Sequence, residues 1–522
     1  MAAGCIKEET VSGSHIGDIR DAFVEFAQGF ITKQDSPLER SAPKHAYSST
    51  GYKTRPLRKR TLSRAYAHYT LGLMYEEKGM LDEAIKEYAL ALENDHSASR
   101  IHYRLSACFI KQGDIKKAKE ELEIALELNP GDTAARFTLA FLYASLRLYD
   151  KAESEYKELL VQEPENINVL QNLAELYIAT ERTEEAIKIY EDIDRIDKSE
   201  FTQLYIGQLY LRIHKTEEAT AHLEKALAIN PNFVDAIVAL ASVYEAKNDL
   251  EKATKQYEKA ILLSPLDARL YYQLSVLYHK QNRLEEAVVH YKKLLQLAPE
   301  EVDAYIGLAY SYIWNKKFQE ARKVLEEGIK LGKKLDRLYV LLGISYSEEE
   351  KNQEAENSFV KASELNSHNA DAYFYLGAYY ERMNSREKSI INLKKAIELD
   401  SEHADAYNYL GYMYAEDGIN LDEAIGLIEK ALQLEPHNGA YIDSLGWALY
   451  KKGNLDEAQE QIENALQYLK SDPVIYDHLG EIYFKKGKTK EAKDAWEKSL
   501  KLDSSQEKIK QKLNSLNQNK EN

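Results

Sequence analysis

A chain of 522 residues is too long for one ordinary globular core, so we expect either several domains or an array of repeats. Charged residues make up 30% of the chain and the net charge is −17, which disfavours a general affinity for nucleic acid. The sequence has no apolar run long enough for a transmembrane helix, and Cys5 and Cys108 alone provide neither a disulfide framework nor a zinc site.

Three small residues stand directly before Cys5. The stretch Ala-Ala-Gly-Cys resembles the box after which bacterial lipoproteins are cleaved, which leaves the cysteine as a lipid-bearing N-terminus. The basic and apolar segments that precede such a box are not in this sequence. Two interpretations therefore stay open. Either the true start lies upstream and Cys5 is a candidate lipidation site of a cell-envelope protein, or the match is accidental and the protein is cytoplasmic.

Residues 1–64 are predicted to form an N-terminal extension outside any repeat. Within it, a helix at about 16–31 is predicted from one apolar stripe at alternating spacings of three and four, made by Ile16, Ile19, Phe23, Phe26 and Phe30. Its polar positions are not rich in lysine and arginine, so packing on the protein's own repeats is favoured over binding at a membrane surface.

A basic linker is predicted at 33–64. Between residues 40 and 64 it has eight Lys or Arg residues and no Asp or Glu. Such a linker is either solvated or docked on the acidic remainder of the chain, and the alternative is a dedicated site for an anionic surface or nucleic acid.

Two short amphipathic helices are predicted within residues 234–267. The first carries Tyr244 on its apolar face, the second carries Ala253 and Tyr257, and Pro265 ends the second helix because proline has no amide proton to donate. Such a pair cannot bury its apolar face alone, so it needs neighbours of the same kind. The sequence contains them, since the tyrosine recurs every 34 residues, at Tyr278, Tyr312, Tyr346 and Tyr380.

We count thirteen such repeats over residues 65–506. After them, a single apolar stripe on a polar segment predicts a capping helix and a frayed tail within 507–522. Leu-Gly pairs such as Leu410-Gly411 and junction prolines such as Pro299 make the pattern similar to the tetratricopeptide repeat family. The resemblance implies an all-α fold, a right-handed superhelical solenoid of about 13 helix-turn-helix repeats with a C-terminal capping helix.

No catalytic signature accompanies the repeats. The sequence has no HExxH metal motif, no phosphate-binding Walker loop, no GxSxG nucleophile turn and no CxxC pair. We therefore predict that the protein is not an enzyme and that it uses no metal and no cofactor.

The predicted binding site lies on the first helix of each repeat. Numbered from the start of the repeat, positions 2, 5, 9, 12 and 13 share the helix face opposite the packing positions, and the resemblance implies that they line a concave groove. The frame of the repeats is satisfied without these side chains, many of which are aromatic or apolar. Such residues suit the apolar anchors of a bound peptide, unless neighbouring helices or the N-terminal segment cover them. The predicted partner-binding residues are Tyr66, Tyr69, Tyr103, Phe137, Phe141, Tyr272, Tyr310, Ile313, Trp314, Trp447 and Tyr450.

The sequence thus predicts a non-enzymatic scaffold or adaptor that binds other proteins or peptides along this groove. No specific nucleic acid is expected as a partner, and membrane attachment is expected only through a lipid on Cys5. The closing repeats also resemble those of bacterial tetratricopeptide proteins, several of them envelope lipoproteins. The alternative function is therefore an envelope lipoprotein that assists an export or polysaccharide assembly system, with groove aromatics that stack on glycan.

Overall fold

The computed structural model describes residues 55–518. Cys5, the predicted helix at 16–31 and most of the predicted basic linker lie outside the described residues. Where the structure describes the chain, it contains 27 α-helices and no strand, which confirms the predicted all-α repeat fold.

The helices form thirteen consecutive pairs and one final helix, and the chain divides into two compact units at Pro265 and Leu266. The first unit contains α1 (Arg55–Glu77), α2 (Leu81–Asn94), α3 (Ser99–Gln112), α4 (Ile115–Leu128), α5 (Thr133–Ser145), α6 (Tyr149–Gln162), α7 (Ile167–Ala179), α8 (Thr183–Ile196), α9 (Glu200–Arg212), α10 (Thr216–Ile229), α11 (Val234–Ala246) and α12 (Leu250–Leu263). The second unit contains α13 (Ala268–Lys280), α14 (Leu284–Leu297), α15 (Val302–Trp314), α16 (Phe318–Ile329), α17 (Leu335–Glu348), α18 (Asn352–Leu365), α19 (Ala370–Arg382), α20 (Arg386–Leu399), α21 (Ala404–Asp417), α22 (Leu421–Leu434), α23 (Gly439–Lys452), α24 (Leu455–Tyr468), α25 (Pro473–Lys485), α26 (Thr489–Leu502) and α27 (Glu507–Gln518).

The turn inside every pair has a residue with a left-handed backbone at position 15 of the repeat, and the turn of the eleventh pair has a second one at Asn420. Five of the residues at position 15 are glycine, which adopts the conformation without strain, and three are asparagine, which tolerates it. The other five, such as Arg147 with a φ of 59°, carry the steric cost of a Cβ atom in this region. The same turn therefore forms with different residues, and the packing of the two helices fixes it more than the turn sequence does.

Small side chains lie where the two helices of a pair cross. Ala253 in α12 and Ala287 in α14 are fully buried, and Ser389 takes the same position in α20. Four residues further on, a large side chain fills the space between the helices, and Tyr257 and Phe359 are both 2% exposed there. The small residues thus permit the close approach of the helices, and the large ones make up the core.

The first helix, α1, begins at Arg55, ten residues before the first repeat as the sequence defines it. Residues 55–64, which the sequence assigns to the basic linker, are therefore helical. Pro56 lies in the first turn, where proline is tolerated, and residues 57–71 contain no further proline and no glycine that would end the helix.

The last helix, α27, covers the second helix of the thirteenth repeat, α26. Ile509 and Leu516 of α27 pack with Trp496 of α26, and all three side chains are buried. This is the predicted capping helix, and it closes the C-terminal end of the apolar core.

Cys108 is buried in α3. This burial, with a smaller effect of Glu76, raises the pKa of its thiol to about 12, so the thiol stays protonated.

Among the described helices, none combines the length and the apolar character that crossing a bilayer requires.

Candidate functional site

A cavity of about 480 Å³ lies among α15, α17 and α19, which are the first helices of the eighth, ninth and tenth repeats. Most of its lining side chains are aromatic or aliphatic, and a few charged residues complete it. Three of the predicted partner-binding residues, Tyr310, Ile313 and Trp314, line it together. The structure therefore brings these three residues into one apolar site.

The last turn of α15 supplies one wall of the cavity. Tyr310, Ile313 and Trp314 are three and four residues apart, so their side chains project from the same face of the helix. The rings of Tyr310 and Trp314 have centroids 6.1 Å apart, and Trp314 is 44% exposed. A tryptophan with this much exposure retains a large apolar surface that the fold does not bury.

The floor of the cavity is made of buried and half-buried aromatic rings. Phe359 of α18 lies parallel to Tyr375 of α19, with ring centroids 6.2 Å apart and an interplanar angle of 7°. Phe374 is 5% exposed and meets Tyr375 and Tyr409 edge to face. These contacts fix the floor rigidly, which limits the rotamer entropy lost when a ligand binds.

Polar groups near the cavity are held by contacts with each other. Glu381 accepts hydrogen bonds from Arg386 at 2.8 Å and from the hydroxyl of Tyr409 at 3.3 Å. Burial, with the nearby Glu381 carboxylate, raises the pKa of Tyr409 above its ordinary value, so the hydroxyl stays protonated and continues to donate. Arg382 donates to the backbone carbonyl of Ser347 at 2.7 Å.

Behind Tyr310 lies a half-buried histidine, His279 of α13. Its Nε2 is 2.5 Å from the hydroxyl of Ser311, and its ring meets that of Tyr310 edge to face at 5.3 Å. Burial lowers the pKa of His279 to about 4, so the ring is neutral at physiological pH. The support beneath Tyr310 is therefore uncharged and insensitive to pH in that range.

The other predicted residues lie elsewhere. In the first unit, Tyr66 is 68% exposed, Tyr69, Tyr103 and Phe141 are half-buried, and Phe137 is buried against Tyr156. In the second unit, Tyr272 and Tyr450 are half-buried. None of these residues lines the cavity described above.

Trp447 has a different environment from Trp314. It is 9% exposed, its ring stacks on those of His478 at 4.1 Å and Tyr450 at 4.8 Å, and its indole N–H donates to Glu416. The expectation that the repeat frame does not need this side chain is wrong, because the next repeat supplies His478 as a packing partner. Position 9 thus lines the cavity in the eighth repeat, where it is the half-buried Tyr310, and packs against a neighbouring helix in the twelfth.

The contact between His478 and Asp443 predicts a dependence of stability on pH. His478 is 5% exposed and its Nδ1 lies 2.9 Å from Asp443. Burial opposes the positive charge, but the Asp443 carboxylate outweighs it, and the pKa of His478 is raised above 6.5 in the folded protein. Its contribution to stability is therefore complete below the unfolded pKa and is lost as the pH rises through the folded pKa.

Urea unfolding of the wild-type protein and of His478→Gln, at several pH values from 6 upward, measures this contribution. The difference in unfolding free energy between the two proteins should shrink as the pH rises. A difference that stays constant over the whole range would contradict the assignment.

Several residues that line the cavity are not among the predicted partner-binding residues. Phe374 occupies position 5 of the tenth repeat, so the rule itself would have found it. Tyr375, Tyr379 and Tyr409 stand at positions 6 and 10, outside the set taken as the groove, and Phe359 comes from a second helix. These residues line the cavity together with the predicted positions, and the periodicity of a single helix does not predict it.

The described part of the chain holds no group of three or more histidine, cysteine, aspartate or glutamate residues placed to bind a metal ion. The lining of the cavity offers burial of apolar groups, with charged residues beside them. Such a site is suited to binding.

Models of known protein families match several segments of the chain. A model described as EMC2 TPR-like repeat domain matches residues 65–183. Models described as tetratricopeptide repeat match residues 167–200, 214–277, 278–339, 336–369, 370–403 and 473–505. Together these matches cover most of the predicted repeat array.

Several solved structures are similar to the chain. The crystal structure of the APC/C hetero-tetramer Cut9-Hcn1 is 16% identical, with 88% of this chain and 98% of that chain covered and a TM-score of 0.43. Yeast Tom70 is 19% identical, with 88% and 96% covered and a TM-score of 0.41. A tetratricopeptide repeat protein from Parabacteroides merdae is 20% identical, with 47% and 98% covered and a TM-score of 0.35. Among curated proteins, no sequence matches the chain.

Proposed function

Because the chain belongs to the tetratricopeptide repeat family, whose members serve as scaffolds for protein interactions, we propose that it binds segments of partner proteins through the aromatic cavity of its eighth to tenth repeats. In this proposal the protein is a non-enzymatic scaffold. Tyr310, Ile313 and Trp314 form the wall that contacts the partner, and the rings beneath them form the floor.

The exposure of Trp314 carries the proposal. Trp314 is 44% exposed, so it contributes less to folding than a buried tryptophan would. It borders a cavity whose floor is already formed by rigid aromatic rings. Tryptophan and tyrosine are the residues most often found at the energetic centre of protein interfaces, because they bring much contact area at little entropic cost. The volume of about 480 Å³ also falls within the usual range of binding pockets.

The charges beside the cavity indicate which partner segments it accepts. Lys316 and Arg382 bring positive charge, Glu348 and Glu381 bring negative charge, and all four line the cavity. A segment with one or two apolar anchors and polar residues around them matches this arrangement. The mixture of signs does not select a strongly basic or a strongly acidic partner.

The remaining predicted residues are proposed as secondary contacts. Tyr66 is well exposed, and Tyr69, Tyr103, Phe141, Tyr272 and Tyr450 keep part of their rings exposed. Phe137 and Trp447 are buried and are left out of the proposed contact surface.

A peptide display library selected on the full-length protein tests the proposal. We expect the selected peptides to share an aromatic or aliphatic anchor. The substitution Trp314→Ala should weaken their binding by about tenfold or more. Its effect on the melting temperature should be smaller than that of replacing a buried tryptophan, because 44% of the side chain is already exposed. Fluorescence titration measures the affinity.

The matched control is Tyr468→Ala. Tyr468 is 46% exposed on a second helix, and this substitution removes an aromatic ring of similar exposure that does not line the cavity. Equal binding by the wild-type protein and by Trp314→Ala would contradict the proposal. If no peptide is selected but soluble oligosaccharides raise the melting temperature, the glycan-binding alternative replaces it.

A further inference from the structure

The outer face of α1 is uncovered, unlike the same face in every later repeat. Positions 3, 7 and 10 of the first helix pack inward in the twelve repeats that follow. Positions 3 and 10 are buried in all twelve, and position 7 is buried in eleven and half-buried at Leu445. These positions are thus part of the apolar core wherever another helix precedes them.

The second repeat shows what covers them. Ile101, Leu105 and Cys108 of α3 belong to one apolar cluster with Tyr88 and Ala91 of α2, the helix directly before. A repeat without a preceding helix would therefore leave this face in contact with water.

In the first repeat the same three positions are exposed. They are Ala67, Leu71 at 42% exposure and Met74 at 48% exposure. Arg64 and Lys78 extend this stripe at either end and are exposed as well. The result is an apolar strip between two basic side chains, at the point where the described chain begins.

The opposite end of the array is closed by the chain itself. Helix α27 places Ile509 and Leu516 against α26, and these side chains are 1% and 8% exposed. The chain upstream of α1 contains a segment with the same kind of apolar stripe, at residues 16–31.

We propose that residues 16–31 pack as a helix on the exposed face of α1 and close the N-terminal end of the repeat array. The stripe of Ile16, Ile19, Phe23, Phe26 and Phe30 would lie over Ala67, Leu71 and Met74, where the second helix of a preceding repeat would otherwise be.

Length and charge both support this occupant. Residues 32–54 can span about 75 Å when extended, at roughly 3.3 Å per residue, which far exceeds the length of one short helix. The polar positions of the segment carry Asp18, Asp21 and Glu25, which complement Arg64 and Lys78. A second copy of α1 would instead bring like charges together across a symmetric contact.

Thiol accessibility in the full-length protein tests the proposal. The reporter is Leu71→Cys in a Cys5→Ser background, since Cys108 is buried and does not compete. Its alkylation by a small maleimide should be slow. The double substitution Phe23→Asp with Phe26→Asp should speed it by about tenfold or more, because it removes the apolar contact.

Two controls separate this contact from general unfolding. Gln28→Asp adds a negative charge on the polar side of the segment and should leave the rate unchanged. A reporter at Tyr66→Cys, on the other side of α1, should react quickly in every background.

The outcomes decide between the occupants. A fast reaction of Leu71→Cys in a protein whose residues 16–31 are unchanged means that the face of α1 is open, and it overturns the proposal. A slow reaction that becomes fast on dilution, together with a dimeric mass in sedimentation, also overturns it and assigns the face to a second copy. A slow reaction that is independent of concentration and sensitive to the Phe23→Asp and Phe26→Asp pair supports it.

Discussion

Replacement of Trp496 by alanine is expected to lower the free energy of unfolding by about 3–5 kcal/mol, the usual cost of deleting a buried aromatic side chain. Trp496 is 2% exposed and belongs to one apolar cluster with Ile509 and Leu516 of α27. The substitution should therefore release the capping helix as well as weaken the last repeat. Urea unfolding gives the free energy, and hydrogen exchange should show faster exchange in α27.

Trp314→Ala is the matched control, since it makes the same chemical change at a site that is 44% exposed. We expect a clearly smaller loss of unfolding free energy than for Trp496→Ala, because nearly half of the Trp314 side chain is already exposed and less apolar area is lost from the core. If the two variants unfold at the same urea concentration, burial does not govern the difference between them, and the assignment of Trp496 to the core is wrong.

The repeat frame could be predicted from the sequence because its signals are local. The tyrosine at Tyr244 and the small residue at Ala253 lie on helices whose periodicity is visible over a few turns, and the repetition every 34 residues multiplies that signal. The structure pairs the helices as predicted. The beginning of α1 was not predicted, because the basic residues before Arg64 indicate a linker by charge although they are good helix formers.

The cavity was predictable only in part. Periodicity placed Tyr310, Ile313 and Trp314 on one face, and the structure gathers them in one cavity. The same reasoning treated Trp447 as equivalent to a groove residue, although the structure buries it against His478. The difference comes from the residue that the next repeat offers, so it depends on contacts between repeats that a single-helix rule does not describe.

The open face of α1 also shows that the pattern within one helix does not determine which residues are buried. Leu71 occupies the most regular position of the repeat, and by pattern alone it is a core residue. It is exposed because, within the described residues, no helix precedes it. A residue's environment in a repeat array thus depends on its place in the array as well as on its position in the repeat.

Gly343→Val is expected to destabilise the protein by up to about 3 kcal/mol and to weaken binding at the cavity as well, because adding atoms to a filled core forces its neighbours to move. A Cβ atom at Gly343 would lie 2.5 Å from Cε1 and 2.6 Å from Cδ1 of Phe359. Phe359 would have to shift, and it forms the cavity floor together with Tyr375. Urea unfolding measures the first effect, and titration with a peptide selected on the wild-type protein measures the second.

Gly426→Ala provides the control for glycine replacement within a helix. No heavy atom lies within 4 Å of a Cβ atom built at Gly426, and the residue is exposed in α22. This substitution should stabilise the protein by up to about 1 kcal/mol, since alanine favours the helix more than glycine does. It should leave peptide affinity unchanged. If Gly343→Val keeps wild-type affinity while it lowers stability, Phe359 moves without altering the cavity, and the floor is not part of the binding site.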